Sequence, residues 1–152
     1  MSDSNLKEIQ KKIEPLLGQS AWQISLGIGS FITFEFGAAI PNLKIPECPH
    51  GEWHLWIMYG AWCLQVNEEF IAGSEDPRPK IQQALQHMLN LNLCGIELTP
   101  PMWETRFVFD KGVVLHLLPV YSSEYEHWIL YMPDGNVLRI GPGSDWSCSS
   151  AD

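Results

Sequence analysis

Cationic side chains are scarce in this chain: nine Lys and Arg stand against eighteen Asp and Glu, a formal net charge of −9 over 152 residues. Phosphate backbones and anionic membranes are gripped by clustered cations that displace counterions, so neither nucleic acid nor a membrane surface is an expected partner. A basic protein suits this field better. Cysteine is sparse too, and Cys48, Cys63, Cys94 and Cys148 form no C-x-x-C pair. With Cys63 and Cys94 inside apolar runs, they have the pattern of reduced, core-filling thiols in an intracellular protein. No apolar stretch is long enough to span a bilayer, and MSDSNLKEIQKK contains no apolar signal core, so a cytoplasmic location is the expectation. The chain also lacks a G-x-S-x-G elbow, and neither GIGS at 27–30 nor GPGS at 141–144 opens a helix with a following lysine. Nucleophilic hydrolysis and phosphate-loop chemistry are thereby disfavoured, both glycine-rich stretches are expected to be turns, and no cofactor is indicated.

What is abundant is apolar and aromatic: 45% hydrophobic residues, seven of the side chains being tryptophan. The length suits one domain over 1–152 with one core. Leu6, Ile9, Ile13, Leu16 and Leu17 recur at helical spacing, with Asn5 as the expected N-cap and Gly18 as the stop. WQISL and SFITFEF, separated by GIG, form an expected hairpin. Residues 37–51 carry three prolines, which cannot donate to a sheet ladder, and are expected to be a surface loop. Along 52–64 both alternation classes turn apolar from Trp56 onward, as in a central strand covered on two sides, with a bend at Gly60 and Ala61. FIAG makes a short strand before a second helix, capped by Asp76 and starting at Pro77, whose stripe is Ile81, Ala84, Leu85, Met88 and Leu89. LCGIELT, TRFVF-DKG-VVLHLL and HWILYM-PDGN-VLRIG supply further strands with two glycine-bearing turns, and SDWSCSSAD is expected to fray. The sum is an α+β fold: a largely antiparallel, curved sheet of about eight strands packed with two helices.

Chemistry-bearing residues fall into three groups. Cys48, His50 and His54 place a thiol and two imidazoles in C-x-H-x3-H, a donor set zinc accepts, but the spacing matches no recurring zinc motif and indicates no fourth ligand, so no metal is expected there. Glu52, His54 and Trp56 share one face of a strand, and with His127 they could line a sheet-walled pocket for a small ligand or for acid–base hydrolysis. The plainer account makes the carboxylates solvated strand ends, the tryptophans core, and His116 a satisfied core histidine. Third, NEEFIAGSED and SSEYEH place Glu75, Asp76, Glu124, Tyr125 and Glu126 in acidic loops with interleaved aromatics, composing a rim that would steer a basic partner.

GEWHLWI with AW following, AGSED before the second helix, EYEHWILYMPDG and IGPG resemble segments of a group of small, uncharacterised bacterial proteins. The resemblance spans most of residues 20–147 and includes no characterised catalytic motif. In size and character that group is similar to single-domain immunity proteins that neutralise secreted toxins, which implies stoichiometric binding of a basic toxin rather than enzymatic turnover. In the group an arginine often follows the AW pair; here Cys63 stands in that place.

Overall fold

The computed structural model describes residues 2–41 and 49–151. Along the chain run α1 (Ser2–Ile13), a 3₁₀ turn (Glu14–Leu16), β1 (Ala21–Leu26), β2 (Ile32–Ile40), β3 (His50–Ile57), β4 (Ala61–Val66), β5 (Glu69–Gly73), α2 (Arg78–Leu85), β6 (Leu93–Thr99), β7 (Glu104–Phe109), β8 (Val113–Leu118), β9 (Trp128–Tyr131), β10 (Asn136–Ile140) and β11 (Trp146–Ser150). The fold is α+β with antiparallel sheets. Where about eight strands in one curved sheet were expected, eleven among the described residues form two: six in the order β1-β2-β3-β9-β10-β11, and five in the order β5-β4-β8-β7-β6.

The difference originates at residues 58–60. Trp53, Leu55 and Ile57 are the buried class of β3, whereas Trp62 and Leu64 are the buried class of β4, so the inward-facing parity switches between the two strands. A strand apolar on both faces and a chain that changes sheets produce the same run of letters, because strand side chains alternate with a period of two. Gly60 occupies the crossing, where a Cβ would stand 2.9 Å from the Leu117 side chain.

The two sheets share one core. Phe34 of β2 stacks on Phe109 of β7 with centroids 6.0 Å apart, and Phe107 of β7 meets Trp128 of β9 edge-on at 5.4 Å. Trp62, Trp103 and Trp128 are fully buried and their indole N–H groups donate to Ser30 O, Ser144 O and Thr105 Oγ1, so each large ring is accommodated without an orphaned donor. α2 packs against β1 of one sheet and β5 of the other, inserting Ile81, Ala84 and Leu85.

Several local expectations are corrected, among them that Cys94 fills the core, since it is exposed, and that the second helix reaches Met88 and Leu89, since it ends at Leu85. α1 begins at Ser2, ahead of the expected cap Asn5. Pro77 occupies the N-cap of α2, while the Asp76 carboxylate accepts the Gly73 N–H at 2.8 Å, closing the turn before the helix. The C-terminal stretch does not fray: Trp146–Ser150 pairs with β10 as β11, and Trp146 and Cys148, two residues apart, pack against the core. Both glycine-rich stretches are turns, with Gly27 N–H donating to Phe31 O and Gly141 N–H to Asp145 O. Of the proline-rich loop, residues 42–48 lie outside the described residues; β2 and β3 take up the rest of 37–51 except Pro41 and Pro49.

Candidate functional sites

Two surfaces gather chemistry. The first is a cleft of about 450 Å³ on the outer face of the six-stranded sheet, lined by Ile40, His50, Gly51, His54, Trp56 and Tyr131. Pairing of β2 with β3 sets Glu35 directly opposite His54, and β3 with β9 sets His54 opposite Tyr131. Glu35 is only 5% exposed. Its carboxylate accepts from His54 Nδ1, with contacts of 2.6 and 2.7 Å to its two oxygens, and from the Gly51 N–H at 2.9 Å. On the other side of the imidazole, Trp56 Nε1 donates to His54 Nε2. An indole N–H can only donate, so these partners assign the ring proton to Nδ1 and leave Nε2 as acceptor. Trp56, His54 and Glu35 thus form a directed hydrogen-bond chain ending on a buried carboxylate.

Of the expected pocket residues, His54 and Trp56 face this cleft; Glu52 and His127 do not line it. The β2–β3 ladder slips between Phe36 and Ala39, and at that bulge Glu52 Oε1 accepts the Ala38 N–H at 3.2 Å while the Trp22 indole donates to Gly37 O. Glu52 therefore ties down the bulge. His127 precedes Trp128, which pairs with Ile57, whereas Tyr131 at the other end of β9 pairs with His54, so His127 stands beyond the far end of that ladder. Its ring is wholly buried against Gly141, where a Cβ would come within 2.8 Å of it, and neither nitrogen has a hydrogen-bond partner among the described residues.

Burial holds the His127 pKa below the ordinary histidine value of 6.5, against a smaller upward pull from the Tyr121 backbone, which lies near the ring without closing a hydrogen bond of good geometry; His116, on Gln65, is also lowered, by burial first and then by Arg106. A histidine whose folded pKa lies below its unfolded one keeps the fold stable above the unfolded pKa and destabilises it as pH falls toward the folded value. Unfolding free energy should therefore decline below about pH 6.5, by at most about 1.4 kcal/mol per pH unit for each such proton. His127→Leu should flatten the decline in urea titrations at about pH 7.5 and pH 5; an unchanged slope would exclude His127 as a source.

The second surface lies at the β3–β4 corner. Tyr59 N–H donates to Glu126 O, which brings the 122–127 segment against the corner. Tyr59, Tyr121 and Tyr125 form a mutual cluster, with centroids 4.3 Å apart for Tyr59–Tyr125, 5.2 Å for Tyr121–Tyr125 and 5.7 Å for Tyr59–Tyr121. Glu75, from the other acidic segment, lines the same groove as Tyr59 and Tyr121. Val120, Tyr121 and Tyr125 are exposed beside it, 63%, 42% and 39% respectively. Two acidic segments some fifty positions apart thus meet around one aromatic cluster. Not all of the expected rim is available: Asp76 faces Gly73 and Lys80, and Glu126 approaches Arg139 at 4.0 Å, leaving Glu75 and Glu124 as the exposed acids.

Glu35, Tyr131, Tyr59 and Tyr121 carry these sites and were not singled out by sequence reasoning. A carboxylate between two phenylalanines in SFITFEF was the available signal for Glu35, since a charge in an apolar strand needs a partner. Comparison with known proteins finds no family model, no curated protein and no solved structure that this chain matches.

Proposed function

We propose that this is an interaction protein of the immunity type, whose groove at the β3–β4 corner takes up a basic segment of a toxin. The observation that carries the reading is the Tyr59–Tyr121–Tyr125 cluster, with Tyr121 and Tyr125 exposed and Glu75 lining the same groove as Tyr59 and Tyr121. Tyrosine is enriched where interfaces concentrate their binding energy, because it contributes a large rigid ring and a polar tip at little entropic cost. A tyrosine face beside a carboxylate suits a Lys or Arg side chain, which gains both a cation–π contact and an ion pair. The net charge of −9 adds long-range steering toward a basic partner.

The test is to recover the basic protein that co-purifies with the tagged chain from its own cells and to measure its binding kinetics. Tyr121→Ala and Tyr125→Ala should each weaken the complex about 10–100-fold, chiefly through faster dissociation. Glu75→Gln with Glu124→Gln should slow association and blunt its salt dependence. A complex indifferent to both tyrosine changes removes this groove as the binding surface.

A further inference from the structure

The cleft on the six-stranded sheet is separate from the tyrosine groove and has a different chemistry. The run containing His50 and His54 has no zinc signature in sequence; what alters its meaning is Glu35, delivered from β2 by the ladder. One ligand atom from each of Glu35, His50 and His54 can be chosen so that all three lie within 4.8 Å of one another. We infer that Glu35, His50 and His54 form a binding site for a divalent zinc-class ion, with its open coordination position facing the cleft.

Three features favour that class. Two imidazoles and one carboxylate are borderline nitrogen and oxygen donors, a set that zinc binds well and that magnesium or calcium, which need several oxygens, do not. Three protein ligands leave one position of a tetrahedron unfilled, the arrangement of sites that bind water or an anionic oxygen ligand rather than of closed structural sites. The walls of the cleft are largely apolar, Ile40, Trp56 and Tyr131 among them, which strengthens charge attraction at its polar end.

The hydrogen-bond chain adds a requirement specific to this chain. Coordination through His54 Nε2 displaces the Trp56 N–H directly. Coordination through Nδ1 sends the ring proton to Nε2, where one donor would then face another. By either route the Trp56 indole must let go of His54, so occupancy of the site is coupled to the position of one tryptophan.

The full chain, stripped with chelator, should bind zinc at one equivalent by calorimetry, with magnesium giving no heat. Glu35→Gln should weaken binding by at least the roughly 10–100-fold that follows loss of an outer-sphere partner. His50→Ala, at an exposed position that should leave the fold intact, should do the same. Zinc should shift tryptophan emission in the parent, and Trp56→Phe should lose that shift while still binding one equivalent. Cobalt substitution should give ligand-field bands without a thiolate charge-transfer band. Failure of the parent to bind zinc, affinity unchanged in His50→Ala, an emission shift that survives Trp56→Phe, or a thiolate band would each overturn the assignment.

Discussion

Trp128→Ala is expected to cost about 3–5 kcal/mol of folding free energy, the range for emptying a buried indole site, out of a total that in domains of this kind is commonly about 5–15 kcal/mol. Three terms set the size. Trp128 is fully buried in the middle of the six-stranded sheet, so the cavity would open between the layers, where neither backbone ladder can collapse to fill it. Its edge-on contact with Phe107 is lost. Its indole N–H donates to Thr105 Oγ1 at 3.1 Å, and that hydroxyl donates onward to Trp103 O at 2.8 Å, making a polar link between the sheets inside an apolar core. Trp128→Phe keeps most of the volume and loses the link, and should cost about 1–2 kcal/mol. The check is the urea midpoint of each variant at constant m-value. A loss under about 1 kcal/mol for the alanine variant would mean that the layers close over the vacancy.

The second large effect is expected at Gly51, a position whose φ any residue could adopt. A Cβ there would lie 2.4 Å from the Phe36 carbonyl oxygen and 2.6 Å from its nitrogen, obstacles that belong to the backbone of β2 and cannot rotate aside. Gly51→Ala must therefore separate the strands at the bulge, and the Gly51 N–H would leave the buried Glu35 carboxylate. The combined cost is about 2–5 kcal/mol, together with loss of the Glu35–His54 geometry. Gly135→Ala is the control: its φ of +86° is strained for alanine but nothing lies within 4 Å of the added carbon, so only about 1–2 kcal/mol is expected. Equal destabilisation of the two variants, or unaltered His54 ring chemical shifts by NMR in Gly51→Ala, would show that strand proximity is not the constraint.

How much of this was legible in the sequence follows from how local the determinants are. The β7–β8 and β9–β10 hairpins could be placed from DKG and PDGN because the turns take positive φ at Gly112 and Gly135, where glycine alone among the residues has no side chain to clash. The apolar stripe of α2 was readable through Leu85, with Ile81, Ala84 and Leu85 buried, but the helix ends there, and Met88 and Leu89 of the expected stripe fall in the turn that follows. The helix start was not, because Asp76 has the residue type of a cap yet its carboxylate meets Gly73 instead. The change of sheet at residues 58–60 was hidden by aromatic residues on both parities, and β11 by a polar tail in which only Trp146 and Cys148 mark the inner face. The cleft was half visible. His54 and Trp56 are two letters apart, but Glu35 joins them through a register that depends on the bulge near Gly37, and Tyr131 through a pairing with the far end of the chain. The tyrosine cluster has the same cause: Tyr59 and Tyr125 meet only because the chain turns from one layer into the other.

The wiring of the larger sheet has a consequence for how the molecule must be assembled. Its first three strands come from residues 21–57 and its last three from residues 128–150, while the whole five-stranded sheet is spelled by the interval 61–118. The nested sheet closes mostly through neighbours in sequence, but the seam between β3 and β9 joins positions more than seventy apart. On a ribosome, the nested sheet has all its letters while β3 still waits with an open flank for β9, and His54 acquires Tyr131 only after that whole interval has been made.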